Sequence, residues 1–133
     1  MPTILDACAV IAFLRGEEGA EVVQHALLRN DCMIHALNLC EVYKDCLVRG
    51  EDKAIADAML HDLRVIGLTV RQDMDEDIWK DAATTKAQFR RIALADCYAV
   101  ALTRRTHGTL FTSDHAELTA IQSHNVCRVR FIR

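Results

Sequence analysis

Four carboxylates stand where chemistry is possible. Asp6 follows the apolar Thr3-Ile4-Leu5. Glu41 closes Asn38-Leu39-Cys40-Glu41. Asp96 lies inside the uncharged run "IALADCYAV", residues 92–100. Asp114 comes two residues after Thr109-Leu110-Phe111-Thr112. An Asp is rarely buried unless it is paired or holds a metal. Each acid has a local reading as well. Asp6 suits a helix N-cap, Asn38–Glu41 and Asp114–Glu117 suit capping boxes, and Asp96 suits the first turn of a helix. Brought to one pocket, however, the four would repel strongly unless a divalent cation lay between them. An all-oxygen set without His or Cys at ligand spacing matches Mg²⁺ or Mn²⁺ rather than Zn²⁺.

The elements that must position these acids follow from periodicity and breakers. Strands are expected at 3–5, 32–34, 68–70, 109–112 and 126–132. Helices are expected at 7–15, 17–29, 38–49, 52–66, 73–88, 94–106 and 114–121, with Gly16, Gly50, Gly67 and Gly108 as stops. Strands alternating with helices imply an α/β fold with a parallel sheet covered on both faces. Ligands in such folds gather outside the carboxyl ends of the strands. All four acids fall on that side.

The bulk properties bound the rest. With 133 residues, no low-complexity segment and a single proline, Pro2, the chain reads as one domain over 1–133. A net charge of −3 is not that of a general nucleic-acid coat protein. The six cysteines form no CxxC pair. The longest apolar run, Ala7 to Leu14, is too short for a bilayer, and no signal peptide is visible. A reduced, soluble, cytoplasmic protein without a membrane partner is expected.

The stretches "ILDACAVIAFLRGEEG", "ALNLCEVYKD", "RRIALADCYAVALTRRTHGTLFTSDHAEL" and "RVRFI" resemble PIN-domain proteins. Among these the chain is most similar to the VapC-like ribonuclease toxins of toxin–antitoxin pairs. The resemblance implies a PIN-like three-layer sandwich, with a small, mostly parallel twisted sheet of about five strands between helices. It also implies a Mg²⁺- or Mn²⁺-dependent endoribonuclease that leaves 5′-phosphate and 3′-hydroxyl ends. Asp6, Glu41, Asp96 and Asp114 would then be the metal-binding and catalytic acids, with Thr112 and Ser113 as supporting hydroxyls. An RNA substrate, an antitoxin protein and a homodimer follow as partners. The partner surface would be the helices over 38–66, where Leu47, Met59, Leu60, Leu63 and Val65 serve either a partner or the core. Two positions depart from the family pattern: Cys8 stands where Ser or Asn is common, and His35 where Ser or Thr is common.

Phosphate contacts are expected from Lys86, Arg90 and Arg91, with Lys86 and Arg90 sharing a face if their helix continues. Arg104 and Arg105 form a second basic pair. No aromatic platform for stacking bases is apparent. Other classes fit less well. A receiver-like phosphoacceptor would want paired acids after an early strand and a late Lys, and a phosphatase of the Asp-x-Asp type would want an acid where Cys8 stands. The remaining alternative is a catalytically inactive PIN fold kept for binding RNA or protein.

Overall fold

A computed structural model describes residues 1–133. The strands are β1 (Thr3–Leu5), β2 (Cys32–His35), β3 (Thr69–Arg71), β4 (Thr109–Thr112) and β5 (Arg128–Phe131). The helices are α1 (Ala7–Arg15), α2 (Ala20–Leu28), α3 (Ala36–Val48), α4 (Lys53–Val65), α5 (Glu76–Gln88), α6 (Leu94–Thr106) and α7 (His115–Ser123). The five strands form one sheet in the order β3-β2-β1-β4-β5, and every pairing is parallel.

Successive strand residues point to opposite faces, and the core divides accordingly. Leu5, Ile34 and Phe111 pack against α1, α2 and residues of α3 and α4. Ile4 and Leu110 pack against α5, α6 and α7. The three-layer α/β architecture read from the sequence is therefore the one found. No helix is long and apolar enough to cross a membrane.

Three helix starts differ from the expectation by two residues or more. α2 begins at Ala20 rather than residue 17, because Gly19 takes a left-handed conformation (φ 95°) that ends the preceding turn. α3 begins at Ala36, not Asn38. His35, at the end of β2, is its cap, with Nδ1 accepting from the Leu37 N–H at 3.1 Å. The capping box predicted over Asn38–Glu41 is thus absent, and Asn38 lies fully buried in the first turn. α5 begins at Glu76 rather than residue 73. Asp73 and Asp75 both bind Arg105, which fastens the lead-in to the end of α6.

The end of α6 shows how close the packing is. His107, not Gly108, takes the left-handed cap conformation (φ 54°). Gly108 is required for a different reason: a Cβ there would lie 2.5 Å from the Pro2 carbonyl oxygen, which is backbone and cannot swing aside. That carbonyl also accepts from the Thr109 N–H at 3.0 Å, so the contact sets how β4 meets the N-terminal end of β1. Gly108→Ala is expected to destabilise the protein by about 1–3 kcal/mol, the range for overpacking. Thermal unfolding would measure it, and an unchanged melting temperature would show that the β1–β4 start can yield.

Candidate active site

From β1 the chain moves through β2 to β3 on one side, then returns to β4 and β5 on the other. The direction reverses between β1 and β4, and a crevice at such a switch point is where ligands bind in open parallel sheets. Asp6 leaves β1 and Asp114 follows β4, one on each side of it. α1, α3 and α7 start directly after β1, β2 and β4, and α6 runs back toward the start of β4. All four helices therefore begin at this edge. Asp6 caps α1, accepting from the Ala9 N–H at 2.9 Å, and Asp114 caps α7, accepting from the Glu117 N–H at 3.0 Å. Asp96 lies in the first turn of α6 and Glu41 in the second turn of α3.

Oxygens of Asp96, Asp114 and Glu117 lie within 4.8 Å of one another. Glu117 is a residue that sequence reasoning left in a capping box. Asp114 does cap Glu117, but Glu117 does not reciprocate, because the Asp114 N–H is taken by the Thr112 hydroxyl at 3.0 Å. Instead Glu117 Oε2 accepts from the Ala93 N–H at 3.2 Å, at the start of α6, whose cap residue has no side-chain acceptor of its own.

Burial dominates the electrostatics. Asp6 is 1 % exposed, and its Oδ2 has no hydrogen-bond partner. Desolvation raises its pKa to about 7, against the pull of the Thr112 hydroxyl and the Ala9 N–H, and Asp114 and Glu41 raise it further. Asp96 is raised to about 9 by desolvation first, then by the neighbouring Glu117 and the charges of Asp6 and Glu41. Glu41 is also raised by burial, which Lys44 opposes and Glu117 reinforces. Asp114 and Glu41 act on Asp6, Asp6, Glu41 and Glu117 act on Asp96, and Glu117 acts on Glu41, so the four predicted acids and Glu117 belong to one field. Asp6 and Glu41 lie outside the group at ligating separation, but three such oxygens at the sheet edge that also carries a buried, unpartnered carboxylate oxygen fit a hard divalent cation bound through oxygen. Cys8, half-buried at the same edge, is not part of that donor set. Burial and the charges of Asp6, Asp96, Asp114 and Glu41 push its thiol up to about 12, so it stays neutral.

The PIN domain matches residues 3–121. The chain belongs to the PIN-domain family. No curated protein matches it in sequence. Among solved structures it is similar to a toxin–antitoxin complex from Klebsiella pneumoniae (TM-score 0.76, 14 % identity, 98 % of each chain covered). It is also similar to DNA-bound VapBC from Salmonella typhimurium (0.74, 13 %, 100 % of this chain and 99 % of that one). A third is VapBC-1 from nontypeable Haemophilus influenzae (0.69, 16 %, 99 % and 98 %). At these identities the likeness establishes the fold.

The remaining predicted residues of this PIN domain separate into two groups. Thr112 is fully buried and holds the Asp114 backbone. Ser113 is half-buried and makes no side-chain hydrogen bond of its own. α5 stops at Gln88, so Lys86 and Arg90 do not share a helix face. Lys86 Nζ donates instead to the carbonyls of Arg90 (2.8 Å) and Ile92 (2.6 Å) and ties down the turn that leads into α6. Arg90 and Arg91 are exposed on that turn, and neither takes part in an ion pair. Arg104 pairs with Asp81, and Arg105 with Asp73 and Asp75. Arg105 lies nine residues beyond Asp96 on α6, roughly 13 Å away at 1.5 Å per residue, so this pair serves the fold. His35 is buried, bonded through Nε2 to the Asp73 carbonyl at 2.9 Å and packed on Tyr98. It thus joins β2 to the segment before α5, a task that neither Ser nor Thr is long enough to perform.

The raised acids fix how the metal-free protein responds to pH. A carboxyl whose pKa is higher in the folded than in the unfolded state contributes stability at low pH, and that contribution is lost as pH rises through the folded value. The melting temperature of the metal-free protein should therefore fall from about pH 4, where the unfolded carboxyls ionise, up to about pH 9, the contribution of Asp6 being lost by about pH 7 and that of Asp96 by about pH 9. Asp96→Asn should flatten the upper part of the fall. Mn²⁺ should bind more tightly as pH rises, with proton release. A melting temperature independent of pH over this range would show that the carboxyls are not desolvated together.

Proposed function

We propose that this PIN domain is a Mg²⁺- or Mn²⁺-dependent endoribonuclease, the toxin of a toxin–antitoxin pair acting in the cytoplasm. The observation that carries the reading is the cluster of Asp96, Asp114 and Glu117 at the carboxyl edge of the sheet, with Asp6 and Glu41 near enough for their charges to act on Asp96. Asp96, Asp114 and Glu117 would hold the ion, with the free Oδ2 of Asp6 and the carboxylate of Glu41 closing the site directly or through water. One oxygen of Asp6, one of Asp114 and one of Glu117 is already committed to a backbone N–H. Each is therefore left with one oxygen to offer. Single-oxygen coordination with retained waters favours Mg²⁺ or Mn²⁺ over Ca²⁺, which takes more ligands and bidentate carboxylates.

When bound, the ion supplies a Lewis acid that lowers the pKa of a water and offsets charge on the phosphate. The side chains supply position. Thr112 fixes the Asp114 backbone, and Ser113 is free to hydrogen-bond to an acid or to substrate. Arg90 and Arg91 are available for phosphate contacts, on a turn that Lys86 holds in place. Attack of water on phosphorus forms a P–O bond and breaks the bond to O3′. The products are a 5′-phosphate and a 3′-hydroxyl.

An antitoxin partner is supported by an apolar pocket of about 250 Å³ between α1, α3 and α4, lined in part by Ile11, Leu14, Val42, Ile55 and Met59. Leu47 and Val48 are exposed at the end of α3. Of the residues assigned to a partner or the core, Leu63 is buried and Met59 and Leu60 pack against the core, while Leu47 and Val65 are exposed. A homodimer through a neighbouring face accords with these apolar positions.

The deciding experiment is cleavage of end-labelled RNA with and without Mn²⁺, alongside Asp96→Asn and Glu117→Gln. Each variant is expected to cut at least about 100-fold more slowly, as for lost metal ligands. Metal-free stability should hold or rise, because one member of a repelling cluster is neutralised. Metal-induced stabilisation should shrink. RNA left intact by wild type with either metal would favour the binding-only alternative, and wild-type rates in both variants would remove the acids from catalysis.

A further inference from the structure

We propose that the cleft between the α5–α6 turn and α7 is a subsite for one unpaired nucleotide of an RNA strand, next to the acid cluster. The cleft measures about 350 Å³. Phe89, Arg90, Arg91 and Ile92 form one wall, and Ala116, Glu117 and Ala120 form the other. That is toward the small end of small-molecule sites, roughly 300–1,000 Å³, and suits one nucleotide rather than a duplex.

Each wall contributes something a nucleotide needs. Glu117 is shared with the acid cluster, so a phosphate held at the cluster can continue into this cleft without a gap. Arg90 and Arg91 carry guanidinium groups free of ion pairs, unlike Arg104 and Arg105. Unpaired cations beside an acidic centre are placed for phosphate oxygens. Phe89 is half-buried, and its ring meets His124 edge-on at 5.3 Å and 74°, which fixes its orientation. An aromatic ring at this place offers a base a surface to stack on, a mode of recognition that tolerates any base and requires that base to be unpaired. Phe89 reads in the sequence as an apolar residue closing a helix, so no such platform is expected there. Ala116 and Ala120, four apart on α7, leave the opposite wall without bulk. Lys86 holds the turn through the Arg90 and Ile92 carbonyls, and Glu117 holds its far end through Ala93, so the cleft exists before a ligand arrives.

The subsite deepens the nuclease reading and rests on it for the identity of the reaction, but its binding is separable. The test measures fluorescence anisotropy of a labelled single-stranded RNA, and of its duplex, on Asp96→Asn protein with Mg²⁺. Arg90→Ala with Arg91→Ala should weaken single-strand binding about tenfold and reduce the salt dependence. Ala120→Met or Ala116→Met, which fill the cleft with a good helix former, should weaken it comparably while leaving the salt dependence unchanged. Phe89→Leu keeps the packing and removes the stacking surface, and should weaken binding of every sequence alike. Thermal unfolding of each variant shows that it is folded. Single-strand affinity unchanged in the arginine and cleft-filling variants, or a duplex bound as tightly as the single strand, overturns the subsite. Wild-type cleavage together with such unchanged binding leaves the nuclease and removes only the subsite. Cleft-dependent binding with no cleavage by wild type in Mg²⁺ or Mn²⁺ does the reverse.

Discussion

Desolvation of carboxylates that the fold brings to one edge is the constraint on which the rest depends. The cost is large. Holding the Asp6 carboxyl near pKa 7 instead of its ordinary value corresponds to roughly 4 kcal/mol against the charged form, a substantial part of a domain's net stability. The hydrogen bond from Ala9 and the pull of the nearby Thr112 hydroxyl do not cancel it. The starts of α1, α3, α6 and α7 bring positive dipole ends to the same edge, which offsets part of the charge and leaves the remainder for a cation or for protons.

The acids are tolerated because they are also structural. Asp6, Asp114 and Glu117 each give one oxygen to a backbone N–H at a helix start and keep the other. The helix-end reading of Asp6 and Asp114 thus holds and uses one oxygen of each, which leaves the other oxygen open to the metal reading that rivalled it in the sequence. Such an arrangement fixes each carboxylate before any ligand binds, since its rotation is limited by the helix that it caps.

Much of this was legible in the sequence. Asp96 stood out because a charge inside "IALADCYAV" has no local partner, and the alternation of strands and helices was enough to put the acids at one edge. What was hidden depended on tertiary contact. Glu117 looked satisfied by its own capping box, and only the Thr112 hydroxyl on Asp114 and the uncapped start of α6 turn it toward the cluster. Lys86 looked like a phosphate ligand because its pattern continues as a helix on paper; the break at Gln88 converts it into a brace. His35 displaced Asn38 as the cap because a ring nitrogen at the end of β2 reaches the Leu37 N–H. Gly108 was rightly seen as special and wrongly explained, since its requirement is the nearness of Pro2 and not the sign of φ.

The backbone of the α5–α6 turn is coupled to the acids, whereas two of its side chains are not. Residues 89–93 are held at one end by Lys86 and at the other by Glu117, and Ile92 between them is buried in the core beneath α7. A shift of the turn would move Ala93, free its N–H from Glu117 and displace the first turn of α6, which carries Asp96. Arg90 and Arg91 escape this coupling, because their side chains are exposed and bonded to nothing, so they can change without disturbing the acids. Substitution at these two positions therefore leaves the acids in place, whereas substitution at Lys86, Ala93 or Glu117 reaches the acid cluster itself.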